Sequence, residues 1–167
     1  FQGVTTEVVG NCGMSAAPVI GTHAEKIRTI WAREGVQIPN PVPWTTFQEY
    51  GDKLRSAGMY GNFASLVGHG NLRSAVMGMA PQKASPTDLI QMKKLLAEAM
   101  DQGAYGISYG LVYLPGIYAD QEEIIELCRE AAKHLGVCAF HMRSEGAARL
   151  EASQEVINVA EKAQAPV

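Results

Sequence analysis

The hydrophobic pattern of this chain changes period again and again. Short apolar, β-branched stretches alternate with longer ones whose apolar residues recur every three or four positions. Such alternation predicts strand-to-helix crossovers, and a succession of them predicts a parallel sheet, because parallel strands need long connections of one hand. Strands are predicted over Val4 to Val9, Asn62 to Val67, Ala104 to Ser108 and Val137 to Phe140, and Phe1 to Thr6 already reads as strand. Between them, Ile27, Ile30 and Trp31 suggest a short helix before the punctuation of Pro39, Pro41 and Pro43. Phe47, Tyr50, Leu54 and Ala57 outline a helix stopped by Gly58. The next helix has a cap at Ser85, Pro86 in its first turn, Asp88 at its positive end and Gly103 at its exit. Its inner face is predicted to carry Leu89, Met92, Leu96 and Met100. Asp120 with Glu123 forms a capping-box pattern for a helix running to about Leu135. The last helix, from about Ala147 to Ala163, is expected to carry Leu150, Val156, Ile157 and Ala160 toward one side, and Ala165-Pro166-Val167 reads as the approach to a further strand.

At 167 residues the chain is long enough for a domain with a real core, but short of the roughly 250 that close an α/β barrel. A net charge of −3 offers no broad basic surface, which excludes nucleic acid and anionic membrane as natural partners. No apolar run approaches the roughly 20 residues that span a bilayer. The first residues lack the basic start and apolar centre of a signal peptide. Three cysteines without a Cys-x-x-Cys pair suit a reducing compartment, so the expected location is cytoplasmic.

Polar groups with chemical potential repeatedly follow the strands, where α/β folds collect ligands. Cys12 stands between glycines after the first strand, as a zinc-binding thiolate or as a small buried hydrophobe. His141 ends the fourth strand, as a ligand in a site or as a core imidazole with satisfied nitrogens. His69, in a loop reading of Gly68 to Arg73, either faces the same mouth or fixes its loop through a hydrogen bond. Arg143 either grips a carboxylate bidentately or pairs with Glu145. Ser108 lacks the nearby histidine and acid of an activated nucleophile, Cys128 and Cys138 fall in apolar rhythms that suit core thiols, and His134 complements a helix C-terminus.

Taken together, Gly3-Val4-Thr5-Thr6 with Gly10-Asn11-Cys12-Gly13, Gly68-His69-Gly70 with Leu72-Arg73, and His141-Met142-Arg143-Ser144-Glu145 resemble the D-aminoacylases, the N-acyl-D-amino-acid deacylases of the amidohydrolase superfamily. The loop Ser108-Tyr109-Gly110-Leu111, with Tyr113, Pro115-Gly116 and Tyr118-Ala119-Asp120, is also similar to that family. The resemblance covers essentially the whole chain. It implies a single partial domain over residues 1–167: about four β/α units of a metal-dependent (β/α)8 TIM-like barrel. It implies zinc held by Cys12 and His141, with Arg143, Tyr113 and His69 orienting an N-acyl-D-amino acid. Ser108 stands about where many members of the superfamily carry a modified lysine, and Cys12 would replace that bridging ligand.

The family's His-x-His pair, its later metal histidine and its proton-shuttling aspartate have no counterpart in the chain, which therefore reads as truncated at both ends, with no catalytic residue of its own to name. Two further readings accompany this one. A non-catalytic half-barrel would assemble with itself or with a complementing chain through its open sheet edge. A cyclic-amide hydrolase of the same superfamily is the other, and Ser108 in the lysine position argues against it.

Overall fold

The computed structural model describes residues 3–21, 23–33 and 35–167, without the side chains of residues 26 and 30. Phe1 and Gln2, and the side chain of Ile30, therefore lie outside the described residues. The elements follow in the order β1 (Thr6–Val9), α1 (His23–Arg33), α2 (Phe47–Ala57), β2 (Asn62–Ser65), β3 (Val67–Gly68), α3 (His69–Met77), α4 (Pro86–Asp101), β4 (Gly106–Gly110), α5 (Gln121–Lys133), β5 (Val137–His141) and α6 (Arg149–Ala163). A single 3-10 turn, Gly116–Tyr118, precedes α5. No helix among the described residues is long and apolar enough to cross a membrane.

Every pairing is parallel, as the crossover pattern requires. β1 pairs with β2 from Thr6 opposite Asn62 to Val9 opposite Ser65. β3 pairs with β4, and β4 with β5, the last pair running from Gly106 opposite Val137 to Gly110 opposite His141. Leu66 alone separates β2 from β3. Its N–H donates to the Val9 carbonyl at 2.9 Å, and Tyr105 N–H donates to the Ser65 carbonyl at 2.9 Å, so the backbone ladder carries across the break. On the far side Cys138 N–H donates to the Pro166 carbonyl at 2.9 Å, so the stretch read as an approaching strand does begin to run beside β5.

β4 is the buried centre of the sheet, with all five residues enclosed. Against it Met92 and Leu96 of α4 and Ile124 and Leu127 of α5 have no exposed surface. Each such side chain stabilises the fold by about 1.5–3 kcal/mol. The α4 signals act as expected: Ser85 Oγ accepts the Asp88 N–H, Asp88 accepts the Ser85 N–H, and Pro86 occupies the first turn. Thr46 and Glu49 make the same reciprocal box on α2.

Four expectations need correction. β4 lies two residues later than predicted, because Gly106 is the residue that lets the backbone touch β5; a Cβ there would stand 2.0 Å from the Val137 carbonyl oxygen. α6 packs on α5 and buries Ala152, Val159 and Ala163, leaving Leu150 76% and Ile157 49% exposed. The segment from His69, read as a loop, is helix α3, and its first six residues are all buried. Finally, Asp120 caps α5 by accepting the Glu123 N–H, but the Glu123 side chain does not reach back to complete a capping box.

Glu123 instead lies between α3 and α5. Its carboxylate accepts from His69 Nε2 at 2.7 Å and from the Arg73 guanidinium, which also donates to the Gln82 carbonyl. All three side chains are at most 1% exposed. Burial pushes the Glu123 carboxyl up, but the hydrogen bonds and charges of His69 and Arg73 outweigh it and hold the group below its ordinary value of 4.5. A depressed carboxylate pKa contributes stability that is present above the unfolded value and is lost as pH falls through the folded one.

The loop after β1 lies across the C-terminal ends of β3 and β4 with backbone against backbone. A Cβ on Gly68 would stand 2.6 Å from the Gly13 carbonyl oxygen, and one on Gly110 would stand 2.1 Å from that of Cys12. Only residues without a Cβ permit this approach.

Two outcomes follow for urea unfolding. Wild type loses stability as pH drops below about 4.5, whereas Glu123→Gln, which strands the Arg73 charge, is less stable by about 3–5 kcal/mol at neutral pH and has a flatter acid limb. An acid limb as steep as wild type's would count against the network. Gly110→Ala costs about 1–3 kcal/mol of overpacking and exposes Cys12 to faster alkylation; an unchanged midpoint would refute the close contact.

Candidate metal centre

Cys12 is half-buried at the C-terminal end of β1, in a tight turn closed by Met14 N–H donating to the Asn11 carbonyl at 3.1 Å. Its φ of +56° lies in the left-handed region. The turn is clamped from beneath by Ser108, which has no exposed surface. Ser108 Oγ donates to the Gly10 carbonyl at 2.5 Å and accepts the Gly13 N–H at 3.0 Å. Gly70 N–H donates to the Gly13 carbonyl at 2.9 Å. Beyond the turn, Asn71 Oδ1 accepts the Ser15 N–H at 3.1 Å, Asn71 Nδ2 donates to the Ser15 carbonyl at 2.7 Å, and Ser15 Oγ accepts the Gly68 N–H at 2.9 Å. Sequence reading found no role for Ser15 or Asn71. The signal available was only their polarity beside a glycine-rich turn.

His141 is the last residue of β5, opposite Gly110, and its carbonyl accepts the Leu111 N–H at 3.0 Å. Since the Cys12 carbonyl rests on Gly110, and Gly110 pairs with His141, the thiol-bearing turn and the histidine both lie against the C-terminal end of β4. The His141 side chain is 20% exposed, with Nε2 3.5 Å from a solvent-facing Glu145 carboxylate. The Tyr113 ring stands edge-on to it, centroids 5.0 Å apart at 87°, and is itself 41% exposed.

The other expected substrate groups have different partners. His69 is fully buried, its Nε2 on Glu123 and its ring 5.1 Å from Tyr109, which stacks on Phe140 at 4.6 Å. Arg143 Nε donates to both Glu155 oxygens at 2.9 and 3.0 Å, and its two terminal nitrogens donate to the Ile117 and Ala119 carbonyls. Its partner is thus Glu155, not Glu145, and its fork ties β5's following loop to the turn before α5.

Cys128 and Cys138 are core thiols, 0% and 2% exposed; Cys128 Sγ donates to the Tyr109 hydroxyl at 3.3 Å. The hydrogen bond with Cys128, and burial, push the Cys138 thiol up, and burial does the same to the Tyr109 phenol, so both stay protonated. His134 Nδ1 faces Asp101 at 3.2 Å at the end of α5.

Of the partly open groups, a thiol and an imidazole are both ligand types that zinc takes, so the donor chemistry of Cys12 and His141 fits that metal. Their number is short of a complete shell: among the described residues no three His, Cys, Asp or Glu side chains converge on one point.

No family model matches the chain. It is 38% identical to a D-aminoacylase of Alcaligenes xylosoxydans xylosoxydans over 166 residues, which are 99% of this chain and 33% of that protein. Among solved structures, 99% of the chain superposes on 34% of a D-aminoacylase studied for its binuclear metal centre, with a TM-score of 0.83 and 35% identity. It also superposes, over 98% of its length, on 33% of the N-acyl-D-glutamate deacylase of Bordetella bronchiseptica, with a TM-score of 0.85 and 33% identity; that protein was solved with zinc and a phosphonate mimic of the tetrahedral intermediate. The chain thus spans about one third of the length of the relatives it matches. Over nearly all of its length the chain matches a segment of the D-aminoacylases in both sequence and backbone.

Proposed function

We propose that this chain is about four β/α units of a (β/α)8 barrel and supplies part of the active site of a zinc-dependent hydrolase acting on the amide bond of N-acyl-D-amino acids. The observation that carries the reading is that the Cys12 turn and His141 both rest on Gly110 at the end of β4, in a chain similar to a deacylase solved with zinc. Three free thiols support the cytoplasmic location.

In this reading Cys12 and His141 would hold the metal, and the remaining ligands and the proton-shuttling aspartate belong to the parts of the relatives that this chain does not span. Zinc, when bound, lowers the pKa of a coordinated water and polarises the acyl carbonyl. The chain's own residues do the rest of what falls to it. Tyr113 packs edge-on against the His141 ring and limits its rotation. Arg143 holds the wall beside β5 by binding Glu155 and two carbonyls, and His69 with Glu123 holds the floor beneath the Cys12 turn. Both shape the substrate space through the backbone they fix. The deacylase reading is also favoured over a cyclic-amide hydrolase by Ser108, whose hydroxyl is fully engaged by Gly10 and Gly13.

One observation favours the second reading, self-assembly of a non-catalytic half-barrel. β1 is the outer strand of its sheet and leaves Val8 57% exposed, with Val4 just before it 66% exposed, an apolar edge open to pairing.

Zinc content and hydrolysis of N-acyl-D-amino acids, with the L-enantiomers as control, test the main reading in the protein that carries this segment. Cys12→Ala and His141→Ala are each expected to lower both by at least about 100-fold, the upper range for loss of a supporting residue around a metal. Wild-type zinc and turnover in both variants would sink it. For the second reading, the isolated chain would sediment as a dimer, and a stable monomer would rule it out.

A further inference from the structure

We propose that Ser108 is a positioning residue for Cys12: its one hydroxyl, buried in the middle of β4, closes the Gly10–Gly13 turn and sets where the thiol stands. The inference rests on the reading of Cys12 as a metal ligand and goes beyond it by assigning the residue that prepares that ligand.

The geometry is specific. A hydroxyl has one proton to donate and lone pairs to accept, and Ser108 Oγ uses both on the same turn, donating to the Gly10 carbonyl at 2.5 Å and accepting the Gly13 N–H at 3.0 Å. These two backbone groups bracket Asn11 and Cys12, the residues that project from the turn. They are separated from Ser108 in sequence by 98 and 95 positions, so the clamp is a tertiary device and not a local turn habit. The turn needs such a device because Cys12 has φ +56° and Gly13 φ +75°. Consecutive positive φ values favour glycine, asparagine or aspartate, and a cysteine held there is strained. Without the clamp the Gly10 carbonyl and Gly13 N–H, both packed against the strand ends, would lose their partner, and the turn would be free to relax toward negative φ.

The test uses Ser108→Ala, which removes the hydroxyl at nearly constant volume, and Ser108→Thr, which restores one. Circular dichroism and urea unfolding establish that each variant is folded. Two readouts are independent of turnover. The first is alkylation of Cys12 by iodoacetamide followed by mass spectrometry, with the buried Cys128 and Cys138 as protected references in the same molecule. Ser108→Ala is expected to accelerate it and Ser108→Thr to return it toward wild type. The second is titration of the metal-free protein with cobalt(II) alone, read by thiolate-to-cobalt absorption. Ser108→Ala is expected to weaken it about 10- to 100-fold, as loss of supporting partners does around metal sites. If cobalt binds wild type through Cys12 and binds folded Ser108→Ala equally well, with equal alkylation, Ser108 has no positioning role. If wild type gives no thiolate–cobalt absorption at all, the metal reading itself fails and the role assigned to Ser108 falls with it, whatever the alkylation rates.

Discussion

The structure depends on a contact that involves almost no side chains: the turn after β1 laid directly on the ends of β3 and β4. At Gly68 and Gly110 a Cβ would collide with carbonyl oxygens of Gly13 and Cys12, so the distance between turn and sheet is set by the backbone van der Waals surface itself. Parallel sheets place polar groups at their C-terminal ends, but they do not by themselves bring a loop from one strand over its neighbours. Here the glycines do so. Once the turn rests on Gly110, and Gly110 pairs with His141, the positions of Cys12 and His141 are no longer independent.

The same contact explains why α3 is polar and yet buried. Gly70, in its first turn, must place its N–H under the Gly13 carbonyl, and Asn71 must meet the backbone of Ser15. A helix that begins with Gly-His-Gly-Asn has little apolar surface to bury, so packing alone does not fix it. Glu123 supplies the missing constraint, taking His69 and Arg73 from α3 onto α5. A buried ionic arrangement of this kind adds little net stability relative to an apolar one, but it tolerates little displacement, because moving either partner leaves a charge without compensation. Its contribution is accuracy in where α3 begins.

What could be read from sequence divides along this physical line. α4 was legible from Ser85, Pro86, Asp88 and the spacing of Met92 and Leu96, because local capping and apolar burial act in the same direction. The strand ends carrying Cys12 and His141 were legible for the same reason: a β-branched run before the first and an apolar run before the second, then glycine or a polar residue. α3 was not, since its order comes from Glu123 some fifty residues away, and a period-based reading cannot register a buried salt bridge. Glu123 itself was misassigned to a capping box because Asp-x-x-Glu spacing is identical whether the carboxylate turns back to the backbone or inward. In α6 the buried positions are Ala152, Val159 and Ala163, offset from the face of Leu150 and Ile157 that apolar spacing alone selects.

Three non-glycine residues have positive φ among the described residues: Cys12, Leu135 and Gln164. Leu135 follows α5 and Gln164 caps α6, positions where a left-handed residue ends a helix and satisfies its last carbonyls. Cys12 ends no helix. It sits in a turn where glycine or asparagine would adopt the same backbone with less strain. A thiol needed only as a small apolar filler gains nothing from that position, for Cys128 and Cys138 fill the core from ordinary helix and strand backbone. The strained conformation does achieve one thing. It keeps the Cys12 carbonyl pressed on Gly110 while the residue stays partly exposed to solvent. Strain of this sort, held in place by Ser108 and flanked by glycines, is an argument for chemistry at Cys12 that is independent of family resemblance.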